Sequence, residues 1–78
     1  MDRVVVEKWL DRYPAMELFI GAGTISLKMA REILGIDRYF MYDIFLELVT
    51  AQAISPTGTS TFRATKELQE LLKERREA

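Results

Sequence analysis

The chain contains no histidine and no cysteine, which removes imidazole bases, thiolate nucleophiles, thiolate zinc sites and disulfides together. Any chemistry has to come from carboxylates, lysines, arginines and hydroxyls. Glu67, Glu70 and Glu74 are spaced by three and four and could be drawn as a metal or acid–base cluster, but on a charge-rich helix that spacing makes a solvated face. Gly21-Ala22-Gly23-Thr24 has the composition of a phosphate loop without the lysine that follows in one. No carboxylate pair, lysine or serine stands at a spacing that would build a general acid–base or nucleophilic site. The expectation is a protein that is not an enzyme and holds neither metal nor cofactor. What remains is recognition, and the groups offered for it are Arg38, Tyr39, Tyr42, Asp43 and Glu47, which fall on the outer face of one helical segment.

The frame that carries them is small. With 78 residues the chain can enclose one core, and 49% hydrophobic against 29% charged residues is enough apolar surface to offset chain entropy. Phe40 to Val49 is the longest apolar stretch and is broken by Asp43 and Glu47, well short of the ~20 residues of a membrane helix. The amino terminus shows no signal-peptide pattern. The expectation is an intracellular, cytoplasmic protein without a membrane partner. Eleven basic residues against twelve acidic ones give a net charge of −1 and a pI near 5.4, so any polyanion would have to be met by a local basic face.

Periodicity supplies the elements. Val5, Val6, Trp9, Leu10 and Tyr13 recur at spacings of three and four and predict an amphipathic helix over Arg3 to Tyr13. Pro14 opens a short helix running to Ile20, and Gly21-Ala22-Gly23 stops it. Ser26 is an N-cap for Leu27 to Leu34, Gly35 supplies the left-handed residue that ends that helix, and Ile36 plugs the turn into the core. Asp37 caps a helix to about Ala51 whose buried stripe is Met41, Ile44, Phe45, Leu48 and Val49. Ile54-Ser55 and Thr61-Phe62-Arg63 read as two short strands around Pro56-Thr57-Gly58-Thr59-Ser60. Thr65 caps a last helix with Leu68, Leu71 and Leu72 as a narrow stripe that packs on the first helix, and Arg75 to Ala78 fray.

The order helix, tight turn, helix, small hairpin, carried by Ile25-Ser26-Leu27, Arg31, Gly35, Asp37-Arg38 and Leu48-Val49-Thr50-Ala51-Gln52-Ala53-Ile54-Ser55, resembles winged helix-turn-helix domains. The nearest patterns are the gamma domain of FtsK-type DNA translocases and small plasmid, phage and conjugation regulators. The resemblance covers about two thirds of the chain. It implies a mostly α fold with a small β-hairpin, one domain over 1–78, divided into an N-terminal helical segment (1–20), a helix-turn-helix plus wing (24–65) and a C-terminal helix (65–78). Thr24-Ile25 would pair with the wing. Two positions depart from the pattern: Arg31 stands where alanine is usual, and Gln52 where glycine usually precedes the wing.

The resemblance also implies a function: a duplex-DNA-binding protein acting in transcription regulation or as an accessory factor of mobile-element or DNA processing. Arg38, Tyr39, Tyr42 and Asp43 would enter a major groove, where arginine can bond guanine, tyrosine can touch a phosphate or a thymine methyl, and a carboxylate can accept from cytosine. Lys28 and Ser26 would lie near a backbone phosphate at a helix amino terminus. Thr59, Ser60 and Arg63 would contact backbone or minor groove from the wing. Lys28, Arg31, Arg38, Arg63 and Lys66 all lie in the segments that would face DNA. Regulators of this design often pair through terminal helices, which makes a homodimer one expected partner. The alternative is a protein-interaction module on the same fold, using Tyr39, Phe40, Tyr42 and the acidic last helix. The first reading requires Lys28, Arg38 and Arg63 to gather on one face; the second requires an exposed apolar patch.

Overall fold

Every α-helix in the chain starts on a residue whose side chain takes one of its free amides. In the computed structural model, which describes residues 1–78, Asp2 accepts from Val5 N at the head of α1 (Arg3–Arg12). Ser26 accepts from Met29 N at the head of α2 (Leu27–Leu34). Asp37 accepts from both Tyr39 N and Phe40 N at the head of α3 (Arg38–Thr50), and Thr65 from Leu68 N at the head of α4 (Lys66–Glu77). Caps of these types contribute about 1 kcal/mol each. Between α1 and α2, Pro14 takes the first position of a 3-10 turn, Pro14–Leu18, where its missing N–H costs nothing.

Three short strands complete the fold: β1 (Thr24–Ser26), β2 (Ile54–Pro56) and β3 (Thr61–Ala64), in the spatial order β1-β3-β2 and antiparallel throughout. The register pairs Ile25 with Phe62, and Ile54 with Ala64, on the buried face; Thr24, Arg63 and Ser55 align on the other. The architecture is therefore mostly helical, with a small antiparallel sheet closing one side of a single core. Phe45 of α3 meets Phe62 of β3 edge-to-face at 4.8 Å between ring centres. Around them sit Leu10, Met16, Ile20, Ile25, Met41, Ile44, Leu48, Ile54 and Leu68, all fully buried, and no polar or charged residue is buried with them.

Both departures from the usual pattern have a physical resolution. Gln52 has φ of 64°, the left-handed conformation that glycine adopts most easily. Its N–H donates to the Val49 carbonyl while Ala53 N–H donates to that of Leu48, the Schellman arrangement that ends a helix cleanly. Gln52 therefore does glycine's work at a conformational cost. Arg31 is half exposed, and the small residue of α2 that the core requires is its neighbour Ala30, which is fully buried.

Three expectations are corrected. Ile36 and Val49 are only half-buried at the edge of the core, because each sits beside a helix end that is open to solvent. Glu47, expected on the free face of α3, turns toward α1 instead and accepts from Lys8 Nζ (3.1 Å) and Trp9 Nε1 (3.3 Å). The end of α4 does not fray at Arg75: the helix runs to Glu77, and Arg75 donates to Asp11 (2.9 Å) and Glu17 (3.2 Å), tying α4 to α1 and the 3-10 turn. The Asp11 bond raises the Arg75 pKa above its ordinary value, partly opposed by burial and helped by Glu17. A raised basic pKa stabilises below the unfolded value and is lost only as pH climbs through the folded one; both lie far into alkali, so this clamp keeps its charge across the neutral range.

Two substitutions with opposite signs test the backbone account. Gln52→Gly relieves a left-handed non-glycine residue and should stabilise by roughly 0.5–1 kcal/mol, on the order of 4 °C in midpoint for a domain of this size. Gly35 has φ of 67° with open space where a Cβ would go, so Gly35→Ala should cost about 1 kcal/mol through conformation alone. Thermal unfolding followed by circular dichroism reads both.

Candidate nucleic-acid interface

The amino end of α2 and the amino end of α3 are brought to the same place by the hairpin. Leu27 N–H, the first of α2, donates to the Ser60 carbonyl in the β2–β3 turn (3.0 Å). That turn is itself held by Thr57 N–H to the Thr61 carbonyl and by the Thr57–Thr61 hydroxyl pair. A Cβ at Gly58 would come to 2.7 Å of Thr61 Oγ1, so a larger residue there would have to displace that hydroxyl. The result is a shallow cleft of about 210 Å³ lined by Leu27, Lys28, Arg31, Arg38 and Ser60.

The cleft is electrostatically one-sided. Three cations line it and no acid does. None of the ion pairs in the fold includes Lys28, Arg31 or Arg38, so the pairings Arg31 with Glu32 and Arg38 with Asp37 that sequence proximity suggests are not made. Asp37 is spent on the α3 amides, and Glu47 on Lys8 and Trp9. Residues 24–64 carry four basic and four acidic side chains, so it is placement, not composition, that makes this spot positive. Arg38 is steadied by its neighbour: its guanidinium lies 5.0 Å from the Tyr39 ring centre, and Nη2 donates to Tyr39 Oη at 3.3 Å.

Beside the cleft runs the open face of α3. Tyr39 is 71% exposed, Tyr42 48% and Leu46 46%, and Asp43 is exposed between them. At 100° per residue, Tyr39, Asp43 and Leu46 point directly away from the Met41–Ile44–Phe45–Leu48 stripe, while Arg38 and Tyr42 sit on the flank.

The site residues predicted from sequence separate into two groups. Lys28, Arg38 and Ser60 come together in the cleft, with Tyr39, Tyr42 and Asp43 on the adjoining face. Ser26 is near but half-buried, its hydroxyl committed to Met29 N–H. Thr59 is exposed in the hairpin turn outside the lining, and Arg63 stands on the outer face of the sheet between Thr24 and Ser55. The gathering of Arg63 with Lys28 and Arg38 is therefore not observed: strand alternation turns Phe62 and Ala64 inward and Arg63 out over the sheet. Arg31, expected only as one of the cations in a DNA-facing segment, joins the lining, and Leu46 is the addition. Arg31 was legible as the residue three beyond Lys28, and Leu46 as the residue seven beyond Tyr39.

A larger hollow, about 620 Å³, runs along α4 beside Gly21. Lys66, Lys73 and Arg76 there alternate with Glu70 and Glu77, so it lacks the single sign of the smaller cleft. The leucines of α4 are already spent, with Leu68, Leu71 and Leu72 all buried in the core. No helix is long and apolar enough to cross a membrane.

Three like charges without ion-pair partners repel one another at a cost in stability. Arg31→Gln should accordingly raise stability by about 0.2–0.5 kcal/mol at low salt, a gain that disappears near 1 M salt, where the Debye length falls to ~3 Å. Urea midpoints at the two ionic strengths measure it. No family model, curated protein or solved structure matches the chain.

Proposed function

We propose that the chain is a winged helix-turn-helix module that binds duplex DNA, with α2 and α3 as the paired helices, the β2–β3 hairpin as the wing, and α3 as the element presented to the groove. The observation that carries this reading is the convergence of Lys28, Arg31 and Arg38 with the hairpin's Ser60 on one acid-free cleft. Cations without ion-pair partners, gathered where no acid lines the surface, are suited to phosphates, which supply most of the affinity in such complexes. The module acts by binding, with no catalytic step, as a regulatory or DNA-processing accessory factor.

A protein partner is the second reading, favoured by the exposure of Tyr39, Tyr42 and Leu46 along one side of α3, since aromatic and aliphatic groups in a row also suit a protein interface. The two readings differ in salt dependence. A dry apolar interface is held by burial, which salt does not screen, whereas phosphate neutralisation releases counterions.

Fluorescence anisotropy of a labelled mixed-sequence duplex, titrated over a series of salt concentrations, is the test. If each cleft cation neutralises one phosphate, the plot of log K against log salt should have a slope near −2.7, at about −0.9 per contact. Lys28→Ala, Arg31→Ala and Arg38→Ala should each flatten it by about 0.9. Arg63→Ala should change it least. No binding at low salt would remove the DNA reading and direct attention to a protein at α3.

A further inference from the structure

We infer that α3 divides its two tasks between its flank and its crest: Arg38 holds phosphate, and Tyr39 and Leu46 read thymine methyl groups, with Asp43 accepting from a cytosine amino group between them. This rests on the proposed binding of duplex DNA and specifies which DNA.

The assignment begins with Arg38, the residue whose type most often bonds guanine. Its position argues against that role here. It lines the cleft with Lys28 and Arg31 of α2, on the flank of α3 that faces the neighbouring helix, and its guanidinium is held over Tyr39. A helix lying in a major groove has phosphates along its flanks and base edges beneath its crest, so Arg38 belongs with the backbone contacts.

The crest then has no cation at all. From Tyr39 to Leu46 it spans seven residues, ~10 Å at 1.5 Å each, or about three base pairs at ~3.4 Å. Over that length it offers Tyr39 and Leu46, both exposed, and one carboxylate, Asp43. In the major groove the single apolar feature on any base is the C5 methyl of thymine. The Leu46 side chain and the Tyr39 ring match it, and a guanine edge, which presents two acceptors, would leave Leu46 unmatched. Asp43 can only accept, so among base edges it suits the cytosine N4 amino group; adenine sets an acceptor, N7, next to its own amino group and repels a carboxylate.

Asp43 is also positioned to avoid the usual penalty. It stands five residues along from Arg38, on the crest, and makes no ion pair within the chain. A carboxylate there gains nothing from the phosphates and is useful only over a donor.

The test compares duplexes of alternating adenine and thymine with duplexes of alternating adenine and uracil, which keep charge and pairing but lack the methyl, by anisotropy near physiological salt. Each methyl removed from water should give roughly fourfold tighter binding, the ~0.8 kcal/mol of one buried carbon. Leu46→Ala should reduce that ratio, whereas Arg38→Ala should weaken both duplexes by the same factor. In a thymine-rich duplex with one cytosine·guanine pair stepped through it, Asp43→Asn should exchange the preference for cytosine for one for adenine, since the amide can both donate and accept. Equal, salt-dependent binding of the thymine and uracil duplexes overturns this inference and leaves the DNA reading standing. An Arg38→Ala effect confined to the thymine duplex overturns the division of roles. Absence of binding to either duplex removes the inference and the DNA reading together and leaves the crest to a protein.

Discussion

One hydroxyl holds the parts of this molecule in register. Thr65 Oγ1 lies 3.0 Å from the carbonyls of both Gln52 and Ala53 and accepts from Leu68 N–H, while its own N–H donates to the Ala53 carbonyl. A single residue therefore closes α3, fixes the base of the hairpin and opens α4. A hydroxyl with one proton and two lone pairs can serve all three only because Gln52 turns left-handed and brings those carbonyls side by side. The hairpin leaves that node at a fixed angle and returns to meet Leu27 through Ser60. The same hairpin thus joins the Thr65 node at its base to the cleft at its tip.

Charge is distributed with the same economy of place. The carboxylate pairs join α1 to α4 and to α3, and α4 to the 3-10 turn: Arg3 with Glu74, Arg75 with Asp11 and Glu17, Lys8 with Glu47. These are mostly exposed pairs of small individual worth, but together they hold the two terminal helices against the body of the fold. The cations of α2 and of the first turn of α3 stand outside this pairing. A net charge of −1 thus conceals an uneven surface, with one spot where three cations gather and no acid lines the cleft. Such unevenness affects how a charged partner is oriented on approach more than how tightly it is finally held.

Much of this was legible in the sequence, for a reason of scale. Caps, left-handed stops and buried stripes are decided within four or five residues, so Ser26, Asp37, Thr65, Gly35 and the Met41–Leu48 stripe could be read directly. The contacts that were missed span the chain. Arg75 finds Asp11 and Glu17 across 64 and 58 residues, and Glu47 finds Lys8 and Trp9 across 39 and 38. Nothing local distinguishes these from solvated charges. The site divides in the same way: the types along α3 were readable, but which arginines share a cleft depends on where the hairpin lands. Arg63 was misplaced because a strand's outward alternation is visible in sequence while the direction that outward faces is not.

The sheet itself has little to offer another chain. Its two edges are the three-residue strands β1 and β2, and β2 ends in Pro56, which has no N–H to donate. β1 runs straight into the first turn of α2. A neighbouring molecule looking for an unpaired strand to extend would find only three residues at either margin, and one donor missing at Pro56, so pairing through the sheet is disfavoured. Association with anything, DNA or protein, is thereby left to the helices and to the tip of the hairpin.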